Sequence, residues 1–210
     1  MIYTILLTIH IIAGFSALVA AFVATFTAKG RTWHLYSGRV YFWGMAVIFV
    51  TAIPMAIMRP NPFLFLIAIF SFYLALAGWR FAKNRRGKPT RLDWSSAGIM
   101  AVTSVAMLGY GVYMLMTGNT MGITLLVFGS IGAALSVFDL ITLRGGGVRG
   151  KKRIAYHLTG MLAGTIATVT AFIVTNFEFE PEFVLWLAPT VVITPLISWW
   201  NAQVMKGKMK

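Results

Sequence analysis

Cysteine is absent from the 210-residue chain, which excludes disulfides, thiolate metal sites and cysteine nucleophiles. Acid is scarce as well: Asp and Glu number 5 against 18 Lys and Arg, and charged residues make up 11 % of the whole. An ordinary soluble domain carries roughly 25 %. The chain has 3 His, and Asp93 and Asp139 are its only aspartates, so any acid–base, metal or cofactor chemistry rests on a few side chains. Internal repeats and low-complexity segments are also missing. What remains is apolar: 59 % of residues are hydrophobic and the mean hydropathy is +0.80.

Crossing the hydrocarbon core of a bilayer takes about 20 apolar residues in a helix. The runs that qualify are 3–28, 38–58, 62–82, 93–117, 120–143, 153–176 and 183–204. They predict an all-α integral membrane bundle of seven transmembrane helices in one domain, with loops too short to hold a soluble domain. The first run has no basic residue ahead of it and is long enough to span, so it reads as a retained helix and not a signal peptide. Arg59-Pro60-Asn61-Pro62 should end the second helix and start the third. Thr117-Gly118-Asn119-Thr120 should turn the fourth into the fifth. Pro54, Pro189 and Pro195 fall inside spans.

The net charge of +13 is not spread evenly. Lys29, Arg31 and Arg39 flank the first loop, and Arg80, Lys83, Arg85, Arg86, Lys88 and Arg91 crowd the third. Arg144, Arg149, Lys151, Lys152 and Arg153 fill the fifth, and Lys206, Lys208 and Lys210 form the tail. Only Arg59 lies on the other side, together with Glu178, Glu180 and Glu182. The positive-inside rule then predicts an outer N-terminus and a cytoplasmic C-terminus. Cations in short loops between apolar spans predict contact with anionic lipid headgroups and no nucleic-acid partner.

Ionisable residues inside spans are costly and usually face protein. The alternation of spans gathers His34, Asp93, Asp139 and His157 near the cytoplasmic face, with His34 just ahead of the second helix. His10 lies about 27 Å before Ala28 along the first helix, in the outer half. His157 shares a helix face with Gly160, Gly164 and Ala171, Asp139 with Ser136, Gly132 and Gly129, and His10 with Gly14, Ala17 and Ala21. Such small-residue stripes pack against other helices. Each residue also has a plain structural expectation. Asp93, ahead of Trp94-Ser95-Ser96, reads as an N-cap. Asp139 is expected to pair with Arg144, Arg153 or His157. His10 and His157 are expected to make single interhelical hydrogen bonds.

The stretch HLYSGRVYFWGM (34–45) resembles the signature of an uncharacterised bacterial membrane family, the domain of unknown function 2306. The resemblance continues through 63–80, 157–176 and 187–200, and His34, Gly38, Arg39, Tyr41, Tyr73, Gly78, Arg80, His157 and Asn176 match by position. It implies a helical membrane fold and supplies no activity.

Three functions follow from the residues. A b-type haem protein would use His34 and His157 as axial ligands, with Arg39 and Arg153 near the propionates. A membrane metal hydrolase acting on a lipid would hold zinc through His34, His157 and Asp139, with Asp93 as base. A transporter or assembly factor would use the same His and Asp residues as a proton or ion relay, in a chain small enough to suggest a homo-oligomer.

Overall fold

A computed structural model of the chain describes residues 1–208, and within them it contains seven helices and no strand. The helices are α1 (Ile2–Phe26), α2 (Thr32–Met58), α3 (Pro62–Lys83), α4 (Arg91–Met116), α5 (Gly122–Arg144), α6 (Gly150–Asn176) and α7 (Phe183–Lys206). All seven are long and apolar enough to cross a membrane, as a multi-pass membrane protein requires. Lys210, assigned to the basic tail, lies outside the described residues.

Six helices start within three residues of their expected positions. α2 is the exception, because it begins at Thr32 and not at 38. An unbroken apolar run is needed only where a helix meets hydrocarbon, and the mixed Thr32–Ser37 segment, amphipathic with Trp33 and Tyr36, extends the helix beyond it. Both turn assignments hold. Asn61 caps α3 by accepting from the Leu64 N–H at 2.9 Å, with Pro62 following it. Pro54 lies inside α2, and Pro189 and Pro195 inside α7.

α3 and α6 form the centre of the bundle. α3 packs on α2, α4, α5 and α6, while α6 also meets α7 and part of α1. α1 pairs with α2 and α4 with α5, while α6 meets α2 and α5 through side chains alone. The α3–α6 crossing is close because glycine faces glycine. A Cβ at Gly160 would lie 2.5 Å from the Gly78 nitrogen, and one at Gly78 would lie 2.6 Å from the Met161 nitrogen. A second layer joins α3 to α4 and α5 through Phe70, Met100, Met107, Leu125 and Phe128.

The loops after α1, α3 and α5 meet the end of α7 at one end of the bundle. Arg149 donates to the Arg86 carbonyl at 2.7 Å and Lys151 to the Met205 carbonyl at 3.3 Å. The opposite end joins Arg59 to the Tyr3 ring at 4.0 Å and Phe63 to Trp186 at 4.9 Å. The first end is the cation-rich end.

Candidate functional site

His34 is the third residue of α2, not a loop residue ahead of it. α1 ends at Phe26, leaving its last carbonyls without helical partners. His34 Nδ1 donates to one of them, the Ala24 carbonyl, at 3.0 Å. Lys29 Nζ donates to the Ala24 and Thr25 carbonyls at 3.0 and 2.5 Å, and burial lowers the pKa of this ammonium below its ordinary value. The turn between the helices is closed by side chains that satisfy the C-terminus of α1.

His157 lies in α6, one turn before Gly160, and its Nδ1 donates to the Gly78 carbonyl of α3 at 2.9 Å. This is the interhelical bond expected from the small-residue stripe. The His34 and His157 rings meet edge-on between α2 and α6, with centroids 6.4 Å apart and planes at 88°. A carbonyl oxygen only accepts, so each Nδ1 carries a proton, and each neutral ring presents its Nε2 lone pair. Neither Nε2 makes a hydrogen bond among the described residues. Two turns deeper, Tyr41 packs beside Gly164, and its buried hydroxyl has no hydrogen-bond partner among the described residues. Gly38 lies between these layers on the same face of α2, and a Cβ built there meets nothing within 4 Å.

The remaining candidates do not join this pair. Asp139 accepts from the Tyr73 hydroxyl of α3 at 2.8 Å and from none of the three cations or imidazoles expected. Arg153 Nη1 is held instead by the Phe81 and Ala82 carbonyls at 2.7 and 3.0 Å, where α3 ends with unpaired acceptors. Among the described residues no three His, Asp or Glu side chains gather as a metal site needs, so the zinc set of His34, His157 and Asp139 is not assembled. Arg39 is exposed on α2.

Asp93 is likewise not an N-cap. Thr90 caps α4, and Asp93, as its third residue, closes a capping box by accepting from the Thr90 N–H at 2.8 Å. The same carboxylate takes Arg80 Nε at 3.0 Å and Nη2 at 3.2 Å, the one salt bridge among the described residues. With both oxygens engaged by structural donors, Asp93 is not placed as a general base. The Thr-x-x-Asp spacing at 90–93 was the sequence signal for this arrangement.

His10 donates from Nδ1 to the Thr51 hydroxyl at 2.9 Å, and that hydroxyl donates in turn to the Val47 carbonyl at 2.8 Å. The expected single bond between α1 and α2 is there, far from the His pair. Sequence reasoning missed a further polar group. Asn201 of α7 donates from Nδ2 to the Thr159 hydroxyl at 2.7 Å, while its Oδ1 is buried without a partner among the described residues. Asn201, Thr159, Tyr73, Tyr156 and Asp139 line a cleft of about 290 Å³ between α5, α6 and α7.

Comparison of the chain with protein-family models, with curated proteins and with solved structures found no match.

Proposed function

We propose that the chain is a bacterial inner-membrane protein in which His34 and His157 would hold a b-type haem. The observation that carries this reading is the paired geometry of the two rings. Two imidazoles on opposite sides of one iron have their centroids about 6 Å apart, given metal–nitrogen bonds near 2 Å. Two on a shared tetrahedral metal would be nearer 5 Å. The observed 6.4 Å suits the former.

The donor chemistry fits as well. A ligating histidine usually donates its other ring N–H to a backbone carbonyl or carboxylate, which fixes the tautomer and raises ligand basicity. Ala24 and Gly78 supply those carbonyls. Gly38, one turn from His34 on α2, has open space beside it, since a Cβ there meets nothing within 4 Å. Arg39 is the exposed guanidinium on the same helix, whereas Arg153 is occupied at the end of α3. When bound, the haem would supply one-electron redox chemistry. The chain's own part is to fix each ring through its Nδ1 contact, His34 on the Ala24 carbonyl and His157 on the Gly78 carbonyl.

Orientation belongs to the same proposal. Every Lys and Arg except Arg59 falls in the loops after α1, α3 and α5, at the adjoining helix ends, or in the tail. This supports an outer N-terminus, a cytoplasmic C-terminus and a haem near the cytoplasmic face, above which basic loops meet anionic lipid. The resemblance of 34–45 to the domain of unknown function 2306 supports a bacterial membrane family and adds no activity.

The test is haem content. Protein purified from cells supplied with a haem precursor should carry about one haem per chain. His34→Ala, His157→Ala and Gly38→Leu should each abolish binding, while His10→Ala should retain it. Haem-free parent protein that is folded would overturn the reading and leave the transport or assembly role.

A further inference from the structure

The cleft between α5, α6 and α7 is a second polar site, on the other side of the α3–α6 wall from the His pair. Ala77 and Gly160 line it, whereas the neighbouring Gly78 carbonyl accepts from His157. The helix packing explains why it exists. The α5 and α6 backbones stand apart, joined by the Thr142–Tyr156 hydroxyl hydrogen bond at 2.9 Å, and α3 closes the space between them from behind. Phe138 lines the cleft and is also exposed on the outer surface of α5, so the cleft reaches the bundle's lipid-facing side.

Its walls are mostly apolar and aromatic, from Phe81, Phe138, Tyr73 and Tyr156, with Phe81 and Tyr156 4.9 Å apart. Its polar groups are few and specific. Asp139 receives one hydrogen bond, from Tyr73, and has no cationic partner among the described residues. A carboxylate has about four acceptor positions, so most of its capacity is unused. Asn201 donates to Thr159 and leaves its other amide atom buried and unpaired. Whichever way the amide is turned, one end is unmatched. Unmatched buried polar atoms are costly and point to a ligand that pairs them.

The ligand must therefore carry hydrogen-bond donors for Asp139 on an apolar, ring-shaped body. Donors to a carboxylate are either charged, as an ammonium is, or neutral, of which a hydroxyl is the simplest on a ring. The cation-rich end decides between them. Arg80, Arg144 and Arg153 occur near this end, with the loop cations beyond them, and their summed field disfavours a further positive charge. We propose that this cleft binds a neutral hydroxylated aromatic amphiphile of the quinol class, with a ring hydroxyl donating to Asp139 and the ring against Phe81 and Tyr156. This site does not depend on the haem reading, and its test does not use haem.

Full-length protein in nanodiscs would be titrated by calorimetry with three probes: tetramethylhydroquinone, its dimethyl ether and decylamine. The diol should bind at least about tenfold more tightly than the ether, which has the same ring and no donor, because a hydrogen bond to a charged acceptor is lost. It should also outcompete the amine. Asp139→Asn should weaken the diol by a similar factor and leave ether binding unchanged, and Ala163→Leu, which fills the wall, should weaken both. The comparison of ligands needs no variant, so misfolding cannot mimic it. His10→Ala, which lies on α1 and lines no part of the cleft, should bind the diol as the parent does. Equal binding of diol and ether, tighter binding of the amine, or no binding of the diol would each overturn the proposal.

Discussion

Gly160→Ala is the sharpest perturbation of the bundle's centre. The added methyl would lie 2.5 Å from the Gly78 nitrogen, against 3.4–4 Å for an ordinary contact. The obstacle is backbone, so no side chain can rotate away, and α3 and α6 must move apart by about 1 Å. Overpacking of this kind costs about 1–3 kcal/mol. The His157–Gly78 hydrogen bond, one turn away at 2.9 Å, should lengthen with it, adding about 1 kcal/mol. At roughly 2–4 °C per kcal/mol for a chain of this size, the midpoint should fall by about 5–15 °C. Unfolding in detergent can be followed by intrinsic fluorescence from the 7 Trp, since the chain has no thiol for a reactive dye. Gly109→Ala is the control, because its Cβ would meet nothing within 4 Å, and its midpoint should stay at the parent's or rise by a few degrees at about 1 kcal/mol of helix propensity. If Gly160→Ala unfolds with the parent, the close α3–α6 crossing is wrong. So is the placement of His157 that depends on it.

Other expectations follow from the polar contacts. Asp93→Asn removes a charge that serves both the α4 capping box and Arg80, and should destabilise the protein by about 1–2 kcal/mol, read by the same thermal assay. Because the pair is only part-buried, much of that loss should persist at high salt only as the capping component. Thr51→Val removes the acceptor for His10. Interhelical hydrogen bonds in membranes average about 0.6 kcal/mol, so the midpoint should shift slightly and haem content should not change. For topology, Glu178→Cys and Lys152→Cys each introduce the chain's single thiol at an exposed position. A membrane-impermeant maleimide applied to intact spheroplasts should label the first and spare the second, and the reverse pattern would invert the orientation.

The helices were legible because hydrophobic length is a local property of the sequence. The start of α2 was not, since Thr32, His34 and Ser37 interrupt the apolar run there, and the turn is tied to the end of α1 through His34. The approach of His34 to His157 was legible in depth, from topology, but its geometry depends on two carbonyls, of Ala24 and Gly78, that any residue could supply. Asp139 shows the opposite case. Its nearest cations in sequence suggested an ion pair, yet Arg153 is drawn to the open carbonyls of α3, and the carboxylate meets Tyr73, 66 residues away. A side-chain competition of this kind is decided by three helices at once, and no spacing rule records it. Asn201 escaped notice for the same reason, because its partner Thr159 lies on a different helix.

The most direct measurement of the central claim is the visible absorption spectrum of the purified parent protein beside His34→Ala, His157→Ala and His10→Ala. The account predicts a Soret band with the reduced-state bands of a six-coordinate, low-spin haem in the parent and in His10→Ala, and its loss from both other variants. A parent protein that is folded, was supplied with haem and has no Soret band would contradict it, as would a band that survives both substitutions.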